Sequence, residues 1–122
     1  MTNNVYKILT EEQWKVASKT GLIEVEIDKK DGFVHLSTAV QLAGTVSFYF
    51  PEDKNLILLQ LDLDLINDDL VFEAPLPKGE RTAKFPHLYS ELKVNQVSQV
   101  YKIKRGAFEL PKEILLQAEN SE

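Results

Sequence analysis

At 122 residues and a net charge of −5 (14 Lys and Arg against 19 Asp and Glu), the chain is long enough for one domain with a real hydrophobic core. The acidic balance argues against broad binding to nucleic acid or to an anionic membrane surface. The absence of cysteine excludes disulfides, thiolate metal sites and a cysteine nucleophile. Because neither a signal peptide nor a membrane-spanning run is recognisable, a cytoplasmic protein without a membrane partner is expected.

The N-terminal part of the chain carries signals for strand, helix, strand and turn in that order. Residues 5–9 have the composition of a strand. A capping box at residues 10–13 then predicts a helix that ends before Gly21. Residues 22–27 alternate apolar and acidic side chains, which predicts an edge strand. Residues 28–32 form a polar turn in which Gly32 is free to adopt a positive φ.

The strongest helical pattern follows a second capping box, from Thr38 to Gln41. Apolar residues then recur at helical spacing up to Phe50, and Pro51 ends the helix. The predicted apolar face consists of Ala39, Leu42, Ala43, Val46, Tyr49 and Phe50. Residues 56–61 are almost continuously apolar, which is typical of a central strand covered on both faces.

The remaining elements complete a prediction of fold class. Short strands are expected at residues 70–73, 97–103 and 108–110, a surface loop at 74–84, and a short helix from Pro111 that frays from Gln117. The sequence therefore predicts a single compact α+β domain over residues 1–122. Its ordered core spans about residues 5–115 and has a mixed or antiparallel sheet with two main helices.

The first candidate site lies at the end of the strand that precedes the second helix. His35 and Ser37 are two residues apart, so their side chains share a face of an extended chain. An imidazole and a hydroxyl beside a helix N-terminus suit ribose hydroxyls or phosphates. Thr38 joins them as a candidate ligand-binding residue. The alternative is a structural histidine, with Ser37 and Thr38 serving only as caps.

The second candidate site repeats the pattern around the other histidine of the chain. His87 and Tyr89 are again two apart, and Phe85 adds another ring. Aromatic rings beside polar groups are how a pocket stacks a flat ligand and fixes its orientation. Glu73, at the end of a short apolar strand, is a candidate general acid or base. The alternative for the segment around His87 is a loop packed against the core. The alternative for Glu73 is a solvated charge at a strand end.

Two charged clusters are better explained as solvated surface. Asp62, Asp64, Asp68 and Asp69 lack the glycine and closing glutamate of a calcium loop, so they are expected to be turn and capping residues, and no metal site is predicted. Lys78, Arg81 and Lys84 give the 74–84 loop a basic character that suits a phosphate, although solvated loop charge is the simpler interpretation.

Two segments resemble signatures of the bacterial family called domain of unknown function 952. They are Gly32-Phe33-Val34-His35-Leu36-Ser37 and Phe85-Pro86-His87-Leu88-Tyr89. With Gln41, Thr45, residues 56–62 and Glu73, the resemblance spans roughly residues 5–108. The chain departs from the family at Phe72, where tryptophan is frequent, and at Ser90, where glycine is common.

This family is similar to the ADP-ribosyltransferase superfamily, and Val34-His35-Leu36-Ser37 resembles a segment of the RNA 2′-phosphotransferases. The resemblance implies an ADP-ribosyltransferase-like fold in which His35 and Ser37 contact the nicotinamide-side ribose of NAD. Catalytic candidates are then His35, His87 and Glu73, with Ser37, Thr38, Phe85 and Tyr89 as ligand contacts. The usual catalytic glutamate has no clear counterpart, so a non-catalytic binding module and a structural or interaction protein remain alternatives.

Overall fold

The longest strands form one antiparallel sheet. In the computed structural model, which describes residues 4–75, 81–105 and 112–120, β1 (Val5–Thr10) pairs with β5 (Asn55–Leu61), and β5 pairs with β9 (Val97–Lys104). The short strand β4 (Ser37–Thr38) completes the order β4-β1-β5-β9. β5 is central and its apolar residues are largely buried, which confirms the prediction of a covered middle strand.

The first helix follows its sequence signals closely. α1 (Glu11–Thr20) begins at a capping box in which the Gln13 N–H donates to Thr10 Oγ1 at 3.1 Å and the Thr10 N–H donates to Gln13 Oε1 at 2.9 Å. It ends at Gly21, whose φ of 82° is in the left-handed region. Trp14 packs partly buried against the core and anchors the helix.

Two smaller antiparallel sheets complete the strand framework. β2 (Leu22–Ile23) pairs with β8 (Leu92–Lys93). In the other sheet, β7 (Phe85–Leu88) lies between β3 (Val34–His35) and β6 (Leu70–Glu73). All pairs are antiparallel, so the predicted α+β class is confirmed with antiparallel rather than mixed sheets.

The prediction of a strand over residues 22–27 and a turn over 28–32 is wrong beyond the first two residues. The chain instead forms α2 (Glu26–Asp31), which ends at Gly32 with a φ of 81°. Alternation over so few residues fits either element, and tertiary contacts decide between them. Asp28, which was predicted in the turn, is buried on this helix and accepts hydrogen bonds from Lys7 and His35.

The second predicted helix is confirmed, but its inward face is not the apolar one. A 3-10 turn (Ala39–Gln41) leads into α3 (Leu42–Tyr49). Gln41 and Gly44 are buried, whereas Tyr49 is 56% exposed. The reason is that the buried side of the helix contacts a buried cation, Arg81. Arg81 Nη2 donates to the Gln41 carbonyl at 3.1 Å. A buried guanidinium requires oxygen acceptors rather than an apolar wall.

The C-terminal helix extends further than the sequence predicted. α5 (Lys112–Asn120) continues past Gln117, the residue from which fraying is predicted. Its last turn is held by the buried Glu119, which pairs with Arg81 at 2.8 Å. The predicted strand at 108–110, Pro111, and residues 76–80 of the predicted loop lie outside the described residues.

The rest of the described chain consists of short helical segments and the apolar core. α4 (Leu63–Ile66) is capped by Asp62, whose Oδ1 accepts the Asp64 N–H at 3.1 Å, and is followed by a 3-10 turn (Asn67–Asp69). A further 3-10 turn (Val94–Gln96) precedes β9. No described helix combines the length and apolar character needed to cross a membrane. The fully buried core includes Val5, Leu9, Leu56, Leu59, Leu88 and Leu92.

Candidate functional site

A cavity of about 350 Å³ lies where the large and the three-stranded sheets meet α3, with residues from β1, β3, β4 and β7 in its wall. Four of the candidates predicted from sequence line it: His35, Ser37, Phe85 and His87. Such a volume is at the lower end of the range for small-molecule pockets, roughly 300–1,000 Å³. The sheet geometry therefore brings both histidine motifs to one concave surface.

The two histidines are direct cross-strand partners. His35 on β3 is paired in register with His87 on β7, and their ring centroids lie 5.6 Å apart at an interplanar angle of 66°. Side chains of directly opposed residues project to the same face of an antiparallel pair. The two motifs therefore converge in space, while their joint use in binding a ligand stays a prediction.

His35 is held by carboxylates at both ring nitrogens. Its Nδ1 lies 2.7 Å from Asp28 Oδ1, and its Nε2 lies 2.9 Å from Asp31 Oδ2. The backbone N–H of His35 also donates to Asp28 Oδ1 at 3.1 Å. Burial by itself raises the pKa of Asp28, but the hydrogen bond from His35 and the charge of Lys7 outweigh it and hold that pKa below its usual range.

A buried lysine completes this network. Lys7 is 5% exposed, and its Nζ donates to Asp28 Oδ2 at 2.8 Å and to the His35 carbonyl at 3.0 Å. Burial lowers the pKa of the Lys7 ammonium, and the attraction of Asp28 offsets this only in part. Sequence analysis missed Lys7, although its position in β1, between Val5 and Leu9 on the inward-facing parity, was the available signal.

His87 has a different environment, in which one carboxylate fixes one ring nitrogen. His87 Nδ1 lies 2.8 Å from Glu73 Oε1, and the Tyr89 hydroxyl donates to the same oxygen. Burial lowers the pKa of His87, and the nearby Glu73 offsets this only partly. The hydrogen bonds from Tyr89 and His87 hold the pKa of Glu73 low, while the bond to Glu73 raises the pKa of Tyr89.

These shifts define the protonation pattern of this second cluster near neutral pH. Glu73 is an ionised acceptor, so the Nδ1 of a neutral His87 carries the proton and donates it to the carboxylate. His87 Nε2 then keeps its lone pair. No hydrogen bond joins Nε2 to any residue within 4–75, 81–105 or 112–120. His87 lines the cavity, so this nitrogen is the candidate basic group of the cluster.

Phe33 connects the two histidine clusters. Its ring stacks on His87 at 4.1 Å between centroids and approaches His35 at 4.6 Å and Tyr89 at 5.4 Å. It is 6% exposed, so it keeps water away from one face of His87. Sequence analysis did not select Phe33, although its spacing of two from His35 was a usable signal.

The interpretation of Arg81 as a solvated loop charge is wrong. Arg81 is 7% exposed, lines the cavity and forms a buried ion pair with Glu119 on α5. Lys84 is exposed as expected, and Lys78 lies outside the described residues. A single arginine in a polar loop carries no local signal of burial, because its partner Glu119 comes 38 positions later.

The other predicted site residues lie beside the cavity rather than in its wall. Glu73 contacts His87 Nδ1, and Tyr89 donates to Glu73. Thr38 takes part in the start of the 3-10 turn, where its N–H donates to Gln41 Oε1 at 3.0 Å. Among the described residues, Thr38, Glu73 and Tyr89 therefore do not belong to the cavity lining.

Comparison with known proteins places this antiparallel α+β domain in a family. The sequence profile of the family described as "Protein of unknown function (DUF952)" matches residues 8–100. The chain belongs to this family, which confirms the resemblance carried by the two histidine motifs. The implied likeness to ADP-ribosyltransferases stays a prediction. No curated protein matches the chain.

Solved structures of one bacterial relative share the fold over nearly the whole chain. The crystal structure of protein CC0527 from Caulobacter crescentus, a structural genomics target, has 33% identity and a TM-score of 0.76, and the match covers 92% of this chain and 97% of that one. A crystal structure of its double mutant gives 0.75 at the same identity and coverage. Its solution structure gives 0.74 at 34% identity, covering 87% and 89%.

Proposed function

We propose that the cavity binds a ribose-containing, nucleotide-type ligand and that His87 acts on this ligand as a general base. The observation that carries the proposal is that His35, Ser37 and His87, from two separate sequence motifs, line one cavity. A histidine with a free ring nitrogen in a small, largely apolar pocket is a common arrangement for proton transfer. The protein would then be an enzyme of an ADP-ribosyltransferase-like fold.

The environment of His87 supports the role of base. Glu73 fixes the tautomer by accepting the Nδ1 proton, and Phe33 covers the ring, so a neutral imidazole presents Nε2. A general base must be unprotonated at the working pH, and burial favours that form here. Glu73 acts through His87 and is a positioning residue in this proposal, as is Tyr89 through Glu73.

Ribose recognition would belong to His35 and Ser37. Ser37 is 4% exposed within the fold and lines the cavity, which supports its hydroxyl oxygen as an acceptor for a ribose hydroxyl. His35 Nε2 is paired with Asp31, which is the more exposed of its two carboxylates. A ligand hydroxyl can exchange with Asp31 at this nitrogen without breaking the buried contact to Asp28.

The cavity volume limits how much of such a ligand is enclosed. About 350 Å³ holds one nucleoside-sized unit rather than a whole dinucleotide. For NAD, the proposed substrate, the nicotinamide riboside half would be enclosed and the adenosine half would extend to the surface. The Phe85 and Tyr49 rings in the wall supply apolar surface for a flat base.

A non-catalytic binding module is the second candidate function, and one contact favours it. Ser37 Oγ lies 2.7 Å from Thr45 Oγ1, so its hydrogen-bond partner is another hydroxyl rather than a histidine. Ser37 is therefore not activated as a nucleophile. In this second case the site would bind the ligand and leave it unchanged.

The test is an NMR titration of ¹⁵N-labelled protein with NAD, ADP-ribose and adenosine. Saturable shifts at Ser37 and His87 are expected, with binding weakened in Ser37→Ala. Ser98→Ala is the matched control. Ser98 lies on the exposed strand β9, and its hydroxyl donates to the Gln60 carbonyl of β5. Absence of shifts with all three ligands would overturn the proposal.

Turnover then separates the two candidate functions. Release of nicotinamide from NAD is expected from the wild-type protein and should be abolished in His87→Gln, which keeps a polar side chain but no base. Binding of NAD without turnover would favour the binding module.

A further inference from the structure

A second polar network in the cavity wall begins at the buried arginine. Arg81 Nε donates to Glu119 Oε2 at 3.1 Å, and Nη2 donates to Glu119 Oε1 at 2.8 Å. The second proton of Nη2 is directed to the Gln41 carbonyl at 3.1 Å, and the Phe85 ring lies 4.2 Å from the guanidinium carbon. These contacts restrain the guanidinium from one edge and one face, so it is a preorganised donor.

On its Nη1 side, the same guanidinium is connected to two hydroxyls by hydrogen bonds. Nη1 donates to Thr45 Oγ1 at 3.1 Å, and Thr45 Oγ1 lies 2.7 Å from Ser37 Oγ. Arginine only donates, so Thr45 accepts from it, and its own proton is free to go to Ser37. Hydrogen bonds that run in one direction, from Arg81 through Thr45 to Ser37, strengthen one another. The Ser37 proton is then available to an acceptor in the cavity.

The ion pair is oriented with its cation towards the cavity. Ser37, Thr45 and Arg81 all line the cavity, whereas Glu119 is absent from the lining formed by the described residues. Its carboxylate neutralises Arg81 from behind, on the side of α5. Lys7 adds a second cation to the wall, which Asp28 neutralises through its own ion pair, and Glu26 contributes one exposed carboxylate. An oxygen-rich anion is the ligand group that suits donors arranged in this way.

We infer that Ser37, Thr45 and Arg81 form an anion subsite that takes a phosphate or carboxylate group of the ligand. Ser37 is the contacting donor, and Arg81 and Glu119 are positioning residues behind it. This inference rests on the proposed function for the rest of the ligand, which is the ribose-containing part.

The sequence of α3 is adapted to this network. A Cβ atom on Gly44 would lie 2.5 Å from Glu119 Oε1 and 3.2 Å from Arg81 Nη2. Glycine inside a helix is destabilising relative to alanine. Here it provides the space in which the carboxylate and the guanidinium meet. The same helix supplies Thr45 one residue later, so a single turn both admits the ion pair and connects it to Ser37.

In the experiment, the full chain is titrated with inorganic phosphate and, separately, with acetate. The ¹⁵N NMR signals of the Ser37 and Thr45 amides are monitored. Saturable shifts are expected in the wild type. Thr45→Val removes the connecting hydroxyl at almost unchanged shape and is expected to weaken anion binding roughly tenfold or more. Thr45→Ser keeps the hydroxyl and should restore binding. Thr82→Val is the matched control, because Thr82 is exposed and its hydroxyl donates to Asn120 rather than to the subsite.

The outcomes separate the subsite from the proposed function. Unchanged anion affinity in Thr45→Val, or no saturable shift with either anion, would overturn the subsite. Tighter binding of phosphate than acetate would identify a phosphate group, and the reverse a carboxylate. If AMP and adenosine bind equally, the subsite is also overturned while the proposed function survives. If phosphate binds but NAD, ADP-ribose and adenosine all leave the His87 signals unshifted, the proposed function falls and the subsite stands.

Discussion

The two histidines face one cavity from adjacent strands, yet their surroundings are opposite in kind. His35 sits between two carboxylates, with a buried lysine behind the nearer one. His87 has one carboxylate at one nitrogen and an aromatic ring stacked on its face. Carboxylates at both nitrogens fix a ring but occupy its hydrogen-bonding groups, whereas a single partner fixes the tautomer and leaves the other nitrogen available to a ligand.

This difference changes which histidine is the better candidate base. The sequence draws attention to His35, because it lies before the strongest helix and beside Ser37. The geometry favours His87, because Nε2 has no hydrogen-bond partner among the residues that the structure describes. In the proposed function, His35 then organises the wall of the cavity and contacts the ribose. Three predictions test this comparison, beginning with the largest effect.

Asp28→Asn is expected to destabilise the protein by about 3–5 kcal/mol, because it leaves the Lys7 ammonium buried without its charged partner. The measurement is the free energy of unfolding from urea denaturation. Adding Lys7→Met should recover much of the loss, since it removes the unpaired charge. Asp31→Asn is the control on the exposed side of His35 and should cost far less. A loss below about 1 kcal/mol in Asp28→Asn would show that charge does not organise this cluster.

The pH dependence of the second cluster gives the next effect. The His87 ring is expected to titrate below the ordinary histidine pKa of about 6.5, because burial disfavours its charged form. The unfolded chain then binds the proton more tightly, so the contribution of His87 to stability falls as the pH drops below about 6.5. This contribution becomes constant below the folded-state pKa. ¹H–¹⁵N spectra of the imidazole report the midpoint directly.

Glu73→Gln should lower the His87 midpoint further, since Glu73 supports the charged ring. Glu52→Gln, an exposed substitution of the same kind, is the control. A midpoint that rises in Glu73→Gln would contradict the assignment of Glu73 as an ionised acceptor.

Tyr89→Phe is expected to have the smallest effect. The largest cause of the low pKa of Glu73 is the hydrogen bond from the Tyr89 hydroxyl, so removing it should raise the Glu73 pKa towards its ordinary value. Because both groups are accessible to solvent, the melting temperature should hardly change. The readout is the carboxyl ¹³C shift of Glu73 against pH, with the exposed Tyr101→Phe as the control. An unchanged Glu73 midpoint would remove Tyr89 from this cluster.

Much of the fold was predictable because its signals are local. The Thr10–Gln13 capping box, the glycine at position 21 and the apolar run in β5 each depend on neighbours within a few residues. Helix α2 was missed because local signals do not define it. Its short alternating sequence fits two elements equally well, and the deciding contact is that of Asp28 with Lys7, 21 positions away.

The candidate site was predictable only where polar residues interrupt apolar strands. His35, Ser37, Phe85 and His87 were found in this way, and all four line the cavity. Lys7 also interrupts an apolar strand, but lysine is so often exposed that its inward parity was overlooked. Arg81 and Glu119 carry no such signal, because each is an ordinary polar residue until the fold brings the two together.

By itself, the sequence determined the α+β class, the family and the two histidine motifs, since periodicity, caps and short motifs are encoded by adjacent residues. Only the tertiary structure decided which charges are buried. The cost of burying an ammonium or a guanidinium is offset by partners distant in sequence, as with Lys7 and Asp28 or Arg81 and Glu119. The pairing of β3 with β7 likewise decided that His35 and His87 share one cavity.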